Sequence, residues 1–312
     1  MSGQVSFLRR RSPTPSLDAK AIDEYRLAGK IAKEALALAK ESTREGAAAI
    51  EVATKVENLI KGRGAACAFP INICINHEAA HFTPREKDPL VFSRGDVVKL
   101  DVGVHVNGHI ADTAATVEIS TSNWSSLIKA SEDALTCALE MLSPGIGVSS
   151  LGAAIETAIS DSGFNPVRNL TGHTMERNLL HAGITVPNVV IKDKSTLRSG
   201  TAVAIEPFAT DGVGEVNGDK GGNIYHIIGE KKLSDEVANQ FLTSAVGNFD
   251  HLPFASRWCS AFSKDYESLI KKHWRHRNIR SYAILAEKAG SMVSQAEHST
   301  LILDDSILVY TR

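Results

Sequence analysis

The segment Val97–Ile119, VVKLDVGVHVNGHIADTAATVEI, alternates and is rich in β-branched residues, with Asn107-Gly108 at its centre. Asn-Gly between two alternating runs is a strong two-residue hairpin signal, because both central residues must adopt positive φ. Such a turn sets the pairing of everything around it: Asp112 falls opposite Gly103, and Asp101, two residues along, shares Gly103's face. The two carboxylates become diagonal cross-strand neighbours, roughly 7–8 Å apart at the backbone. Two unpaired anions buried on one apolar face would cost several kcal/mol each, on the order of the desolvation penalty. No Arg or Lys follows Lys99 inside the hairpin. Either a cation lies near, or the face is wet, as in many antiparallel sheets.

Flanking segments carry helical period. Ile22, Tyr25, Ala28, Ile31, Ala32, Ala35 and Leu36 predict a helix over Leu17–Ala39, and Ile50, Ala53, Val56 and Ile60 a second over Ala47–Lys61. An extended stretch from Phe69 to His81 follows. After the hairpin come a helix over Trp124–Leu142, a Pro144-Gly145 break, and a helix over Ser149–Ser162 closed by Gly163. The order helix, helix, extended strand, His thus occurs twice, which reads as a weak internal duplication. TAVAIEPFAT, Thr201–Thr210, reads as one strand. The segment 211–281 opens with Gly-rich turns, then turns helical, aromatic and basic, and reads as an inserted subdomain. Met292–Leu303 and Ile307–Arg312 read as a closing strand pair.

Bulk numbers exclude several classes. In 312 residues the net charge is -2, with 43% hydrophobic and 22% charged residues, so there is no global pull toward DNA or an anionic membrane. No apolar run approaches the ~20 residues of a membrane span. Cys67, Cys74, Cys137 and Cys259 match no zinc or redox spacing and read as free thiols of a reducing compartment. The tail 1–17, MSGQVSFLRRRSPTPSL, lacks the apolar core of a signal peptide and reads as a short disordered tail, a transit peptide being the alternative.

Further acids stand in apolar surroundings: Glu206 in Val203-Ala204-Ile205-Glu206-Pro207-Phe208, and Glu297 in a β-like run before His298. His173 follows a glycine in LTGHTME. Singly each is an ordinary surface or satisfied core residue. Together with Asp101 and Asp112 they supply four carboxylates and one imidazole. That set suits two divalent cations, Mn, Fe or Co with Zn as an alternative, and disfavours a thiolate-type structural zinc.

The segments NHEAAHFTP (76–84), VKLDVGVHVNGHIADTA (98–114), GHTMERNLLHAG (172–183), AIEPF (204–208), LPFASRW (252–258) and QAEHS (295–299) closely resemble the type II methionine aminopeptidases, archaeal-like members of the M24 metallopeptidases. The resemblance runs from about residue 18 to 312. It implies a pita-bread α/β fold, with pseudo-twofold helix-helix-strand halves around antiparallel sheet. It also implies a catalytic domain of 18–210 and 282–312, interrupted by a helical, winged-helix-like subdomain, 211–281. The metal ligands would be Asp101, Asp112, His173, Glu206 and Glu297. Asp112 and Glu297 would bridge two cations, Asp101 would chelate one, and His173 with Glu206 would hold the other. His81 would hydrogen-bond the scissile peptide or the departing amine, and His181 would stabilise the carbonyl oxygen. Glu206 would accept the proton of the nucleophilic water. Phe69, Leu180, Phe208 and Tyr282 fall where the family lines its methionine pocket.

The implied activity is removal of the initiator methionine from nascent chains when the second residue is small, by a monomeric cytoplasmic enzyme. Two rivals differ in class: a proline-specific dipeptidase or aminopeptidase of the same fold, and a non-catalytic RNA- or ribosome-binding relative. The latter is suggested by the basic run KKHWRHRNIR, Lys271–Arg280, which is otherwise a solvated helix face.

Overall fold

The computed structural model describes residues 17–312. Residues 1–16, nearly all of the expected tail, lie outside them. The first half begins with helices α1 (Ala19–Ser42) and α2 (Ala49–Gly62). Asp18 caps α1, its Oδ1 accepting from the Ala21 N–H at 2.7 Å, which satisfies one of the free donors of the first turn. The buried face of α1 carries Tyr25, Ala28, Ile31, Ala32, Ala35 and Ala39. These are mostly small side chains, so the helix lies close against the sheet beneath.

That sheet consists of β1 (Ala66–Cys67), β2 (Asn72–Ile75), β4 (Val97–Val106) and β5 (His109–Glu118); β3 (Glu78–Ala80) turns out of it. Asn107 and Gly108 adopt φ of 51° and 90°. The pairing they impose includes Gly103 with Asp112 and Asp101 with Ala114, the register read from the turn. The stretch Phe69–His81, expected as one extended run, is instead two strands, β2 and β3, that join different sheets. It folds at Asn76, whose φ is 53°. Asn tolerates this conformation at little cost.

The second half repeats the plan. Helices α3 (Ser125–Met141) and α4 (Val148–Asp161) precede β6 (Asn165–Pro166), β7 (Thr171–Met175), β8 (Thr185–Pro187), β9 (Thr201–Ile205) and β10 (Phe208–Thr210). Each half has its own apolar core. Ala28, Ile31, Val52, Val56, Leu100 and Val102 belong to the first, and Leu127, Ala134, Leu151, Ile155, Val203 and Ile205 to the second.

Beyond β10 the Gly-rich stretch read as turns is mostly a strand, β11 (Asn217–Ile227). Long-range pairing with β13 (Ile279–Ala286) overrides its poor local strand propensity. Between these strands lie α5 (Glu236–Phe249), β12 (Phe254–Ala255), a 3₁₀ segment (Ser256–Ala261) and α6 (Tyr266–Arg275). Phe241, Leu242, Phe254, Leu269, Ile270 and Ile279 form a separate apolar cluster there. The chain closes with β14 (Val293–Gln295), β15 (His298–Ile302) and β16 (Ile307–Val309). The order β16-β15-β9-β7-β8 makes a five-stranded antiparallel sheet, and β14-β10-β6 a three-stranded one.

The run TAVAIEPFAT is therefore not one strand. It passes from one sheet to the other at Glu206-Pro207, and its partner does so at Ala296-Glu297. Proline cannot donate to a ladder, so a break at Pro207 has a local cause. Ile205 pairs with His298 and Phe208 with Gln295. Continuing either register across the gap sets Glu206 opposite Glu297. Each half thus delivers two acids from one antiparallel strand pair, Asp101 and Asp112 from β4–β5, Glu206 and Glu297 from the paired breaks.

Candidate metal centre and active site

Hydroxyl contacts join the two acid pairs. Ser299 Oγ accepts from the Asp112 N–H and donates to the Asp112 carbonyl, both at 2.8 Å. Thr113 Oγ1 donates to the Glu297 carbonyl at 2.9 Å. Thr116 Oγ1 donates to the Gln295 carbonyl at 2.7 Å and accepts from its N–H at 2.8 Å. These contacts fasten β5 to β14 and β15 where no regular ladder runs, apart from a bridge between Ala114 and Glu297.

The result is a buried knot of acids. Asp112, His173 and Glu297 each present a ligand atom within 4.8 Å of the others, and all three are buried. His173 Nε2 lies 3.6 Å from Asp112 Oδ2 and 3.7 Å from Glu206 Oε1, too far for hydrogen bonds. Two donors on one cation at about 2.1 Å would sit up to about 4.2 Å apart. The amide of Gln295 reaches Glu206 Oε2 at 3.3 Å and Glu297 Oε2 at 3.5 Å. Oδ1 of Asp101 and Oδ1 of Asp112 are buried without a hydrogen-bond partner.

Burial pushes the Asp101 carboxyl up to about 7. Burial, reinforced by the neighbouring carboxylates, raises Asp112, Glu206 and Glu297 well above the usual range. Burial lowers His173 to about 4, leaving a neutral imidazole. Orphaned carboxylate oxygens, mutual repulsion and a neutral imidazole are what a divalent cation would relieve. The residues fit such a group.

A cavity of about 300 Å³ opens onto this knot. Ten of the eleven residues expected from the sequence line it: Phe69, His81, Asp101, Asp112, His173, Leu180, His181, Glu206, Phe208 and Tyr282. Glu297 sits behind the wall, 1% exposed. Phe69 fits because Gly103 has no side chain; a Cβ there would lie 2.2 Å from the Phe69 ring. The His81 and Tyr282 rings meet edge to face, with centroids 5.1 Å apart. His81 Nδ1 faces the Ala283 carbonyl at 3.1 Å. Only a protonated Nδ1 makes that contact favourable, so in the neutral ring Nε2 carries the lone pair. Burial lowers the His81 pKa and favours this neutral form. His181 is open to the cavity, its ring 4.4 Å from that of His173. Enclosure, then its neighbours His173, His81 and His226, hold it well below the ordinary range.

Sequence reasoning gave no role to Asn72, Ser299, Gln295 or His226. Gln295 and Ser299 lie inside a motif singled out for Glu297, but their contacts depend on a register between distant strands. His226 also meets Tyr282 edge to face, with centroids 4.9 Å apart.

Comparison with known proteins identifies the family and the fold. The profile of metallopeptidase family M24 matches residues 23–237, more than half the chain. A methionine aminopeptidase of Archaeoglobus fulgidus is 43% identical over 286 residues, covering 91% of this chain and 96% of the relative. Two solved structures share the fold. A methionine aminopeptidase of Thermotoga maritima has a TM-score of 0.68 at 22% identity, covering 95% of this chain and 98% of that one. A thermophilic Arx1 has a TM-score of 0.82 at 14% identity, covering 95% and 91%. The architecture is the pita-bread fold, and the chain belongs to metallopeptidase family M24, with the archaeal-like methionine aminopeptidases.

Proposed function

We propose that the chain hydrolyses the peptide bond after an N-terminal methionine, as a metal-dependent aminopeptidase acting on nascent proteins whose second residue is small. One observation carries this reading. Four carboxylates and an imidazole from both halves converge at one end of a cavity whose walls hold two further histidines and an aromatic pocket. Phe69, Phe208 and Tyr282 suit an unbranched thioether, which makes favourable contacts with aromatic rings.

Asp101, Asp112, His173, Glu206 and Glu297 would hold two divalent cations, Co, Mn, Fe or Zn. Such cations, when bound, supply an acidified water and polarise a carbonyl oxygen. The chain's own side chains do the rest. Glu206, beside the cavity, accepts the proton of the attacking water and passes it toward the leaving amine. His81 Nε2, unprotonated and turned from the Ala283 carbonyl, accepts a hydrogen bond from the scissile N–H. His181 donates to the carbonyl oxygen as negative charge develops there.

Segment 211–281 is assigned as an inserted subdomain; its limit at 281/282 falls within β13. It also favours a second contact. Trp274 is 54% exposed among exposed Lys271, Arg275 and Arg277, an aromatic among cations of the kind that touches RNA. This supports ribosome association; salt-dependent co-sedimentation with ribosomes, lost in Trp274→Ala, checks it. No helix among the described residues is long and apolar enough to cross a membrane.

Hydrolysis of peptides beginning Met-Ala and Ala-Pro tests the main reading. Release of methionine from the first alone is expected. Cleavage of the second alone would assign the chain to proline-specific chemistry.

A further inference from the structure

His81 is an unusual residue in its backbone as well as in its position. Strand β3 stops at Ala80, and His81 takes φ of 69°. For a residue with a Cβ this left-handed conformation costs on the order of 1 kcal/mol or more. It persists only where the surroundings impose it. Had β3 continued through residue 81 in extended form, the ring direction would have been set by the alternation of the strand. The turn sends the ring to the Ala283 carbonyl and the cavity instead.

The turn also leaves the His81 N–H without a regular ladder partner. Asn72, in the facing strand β2, supplies one. Its Oδ1 accepts from the His81 N–H at 2.8 Å, while its Nδ2 donates to the Pro70 carbonyl at 3.1 Å. Both ends of the amide are used, so its orientation is defined. Asn72 is 5% exposed and lines the cavity. Across the β2–β4 register it pairs with Asp101, so it ties the histidine's backbone to the strand that carries a candidate ligand.

We infer that Asn72 is a positioning residue: its side-chain amide holds His81 in the left-handed turn that aims the imidazole at the scissile bond. The inference rests on the role given to His81 above. Removing the Asn72 amide leaves the His81 N–H unsatisfied and releases the turn toward extended backbone. The ring then loses its aim, while the acids of the metal knot, held by Ser299, Thr113 and Gln295, keep theirs.

The test is a double-mutant cycle on the metal-loaded enzyme with Met-Ala-Ser as substrate: wild type, Asn72→Ala, His81→Ala and the double variant, with metal content measured for each. The expected result for Asn72→Ala is a fall in kcat of about 10–100-fold, with unchanged metal content and KM within about twofold. In the His81→Ala background the same change should lower kcat no further. A wild-type kcat in Asn72→Ala overturns the inference. So does an equal loss in both backgrounds, which is the mark of a merely structural role. Asn72→Ser, too short to reach the His81 N–H, carries the same expectations should the alanine variant not fold. If His81→Ala itself runs at the wild-type rate, the assigned role of His81 fails first, and the cycle separates that outcome from the other two.

Discussion

At the scale of single residues, the site depends on where a side chain is missing as much as on those present. Gly103 lies opposite Asp112 and leaves room for the Phe69 ring, 2.2 Å from where a Cβ would stand. Gly103→Ala should push that ring into the cavity proposed to take methionine. The expected outcome is a rise in KM for Met-Ala-Ser of about tenfold, with metal content unchanged, by steady-state kinetics and metal analysis. His81 should behave in the opposite way. With its Nδ1 at the Ala283 carbonyl, it is proposed to act on the reacting peptide rather than to hold a cation. His81→Ala should keep full metal content and lose about 10²-fold in kcat.

At the scale of elements, the essential device is a strand pair that changes sheets at one level. The breaks at Glu206-Pro207 and Ala296-Glu297 place two glutamates face to face, and Ser299 pins β15 to the backbone of Asp112. Ser299→Ala strands a buried N–H and carbonyl. It should cost about 1–3 kcal/mol in urea unfolding and weaken metal binding about tenfold by loosening Asp112. These same elements mark the limit of what the sequence discloses. The β4–β5 hairpin is local, so Asn107-Gly108 reveals its register and the shared face of Asp101 and Asp112. Helices α1 to α4 are amphipathic and equally legible. The paired break is not, because Glu206 and Glu297 are neighbours only through a register between strands 91 positions apart. Nor is β11, whose NGDKGGN opening is turn-like in isolation and becomes strand only against β13. The left-handed turn at His81 leaves no trace in AAHFTP, since its cause is Asn72 in another strand. Motif resemblance nonetheless points to the five candidate ligands and to His81, but not to the contacts that hold them.

At the scale of the whole molecule, two separately cored halves meet over acids that repel one another, so a bound cation should stabilise the fold as well as the reaction. The direction with pH follows from the individual groups. In the metal-free protein burial raises Asp101 from 3.8 to about 7. The stability contributed by its protonated form is full below 3.8 and is lost as pH rises through about 7. Burial lowers His173 from 6.5 to about 4. Its neutral form contributes fully above 6.5, and that contribution is lost as pH falls through about 4. A cation needs ionised acids and a neutral imidazole, so both titrations enlarge its effect at higher pH. Added Mn should raise Tm by several °C at pH 8 and by much less at pH 5.5, measured by calorimetry on protein stripped with chelator.

Methionine release from Met-Ala-Ser by chelator-stripped protein, titrated with Mn beside Glu297→Gln, tests the convergence of five side chains on a cation pair most directly. No release from the stripped protein, recovery on titration, and no recovery for the variant at any Mn concentration are predicted. Release at the wild-type rate by the stripped protein, or by Glu297→Gln, would contradict it.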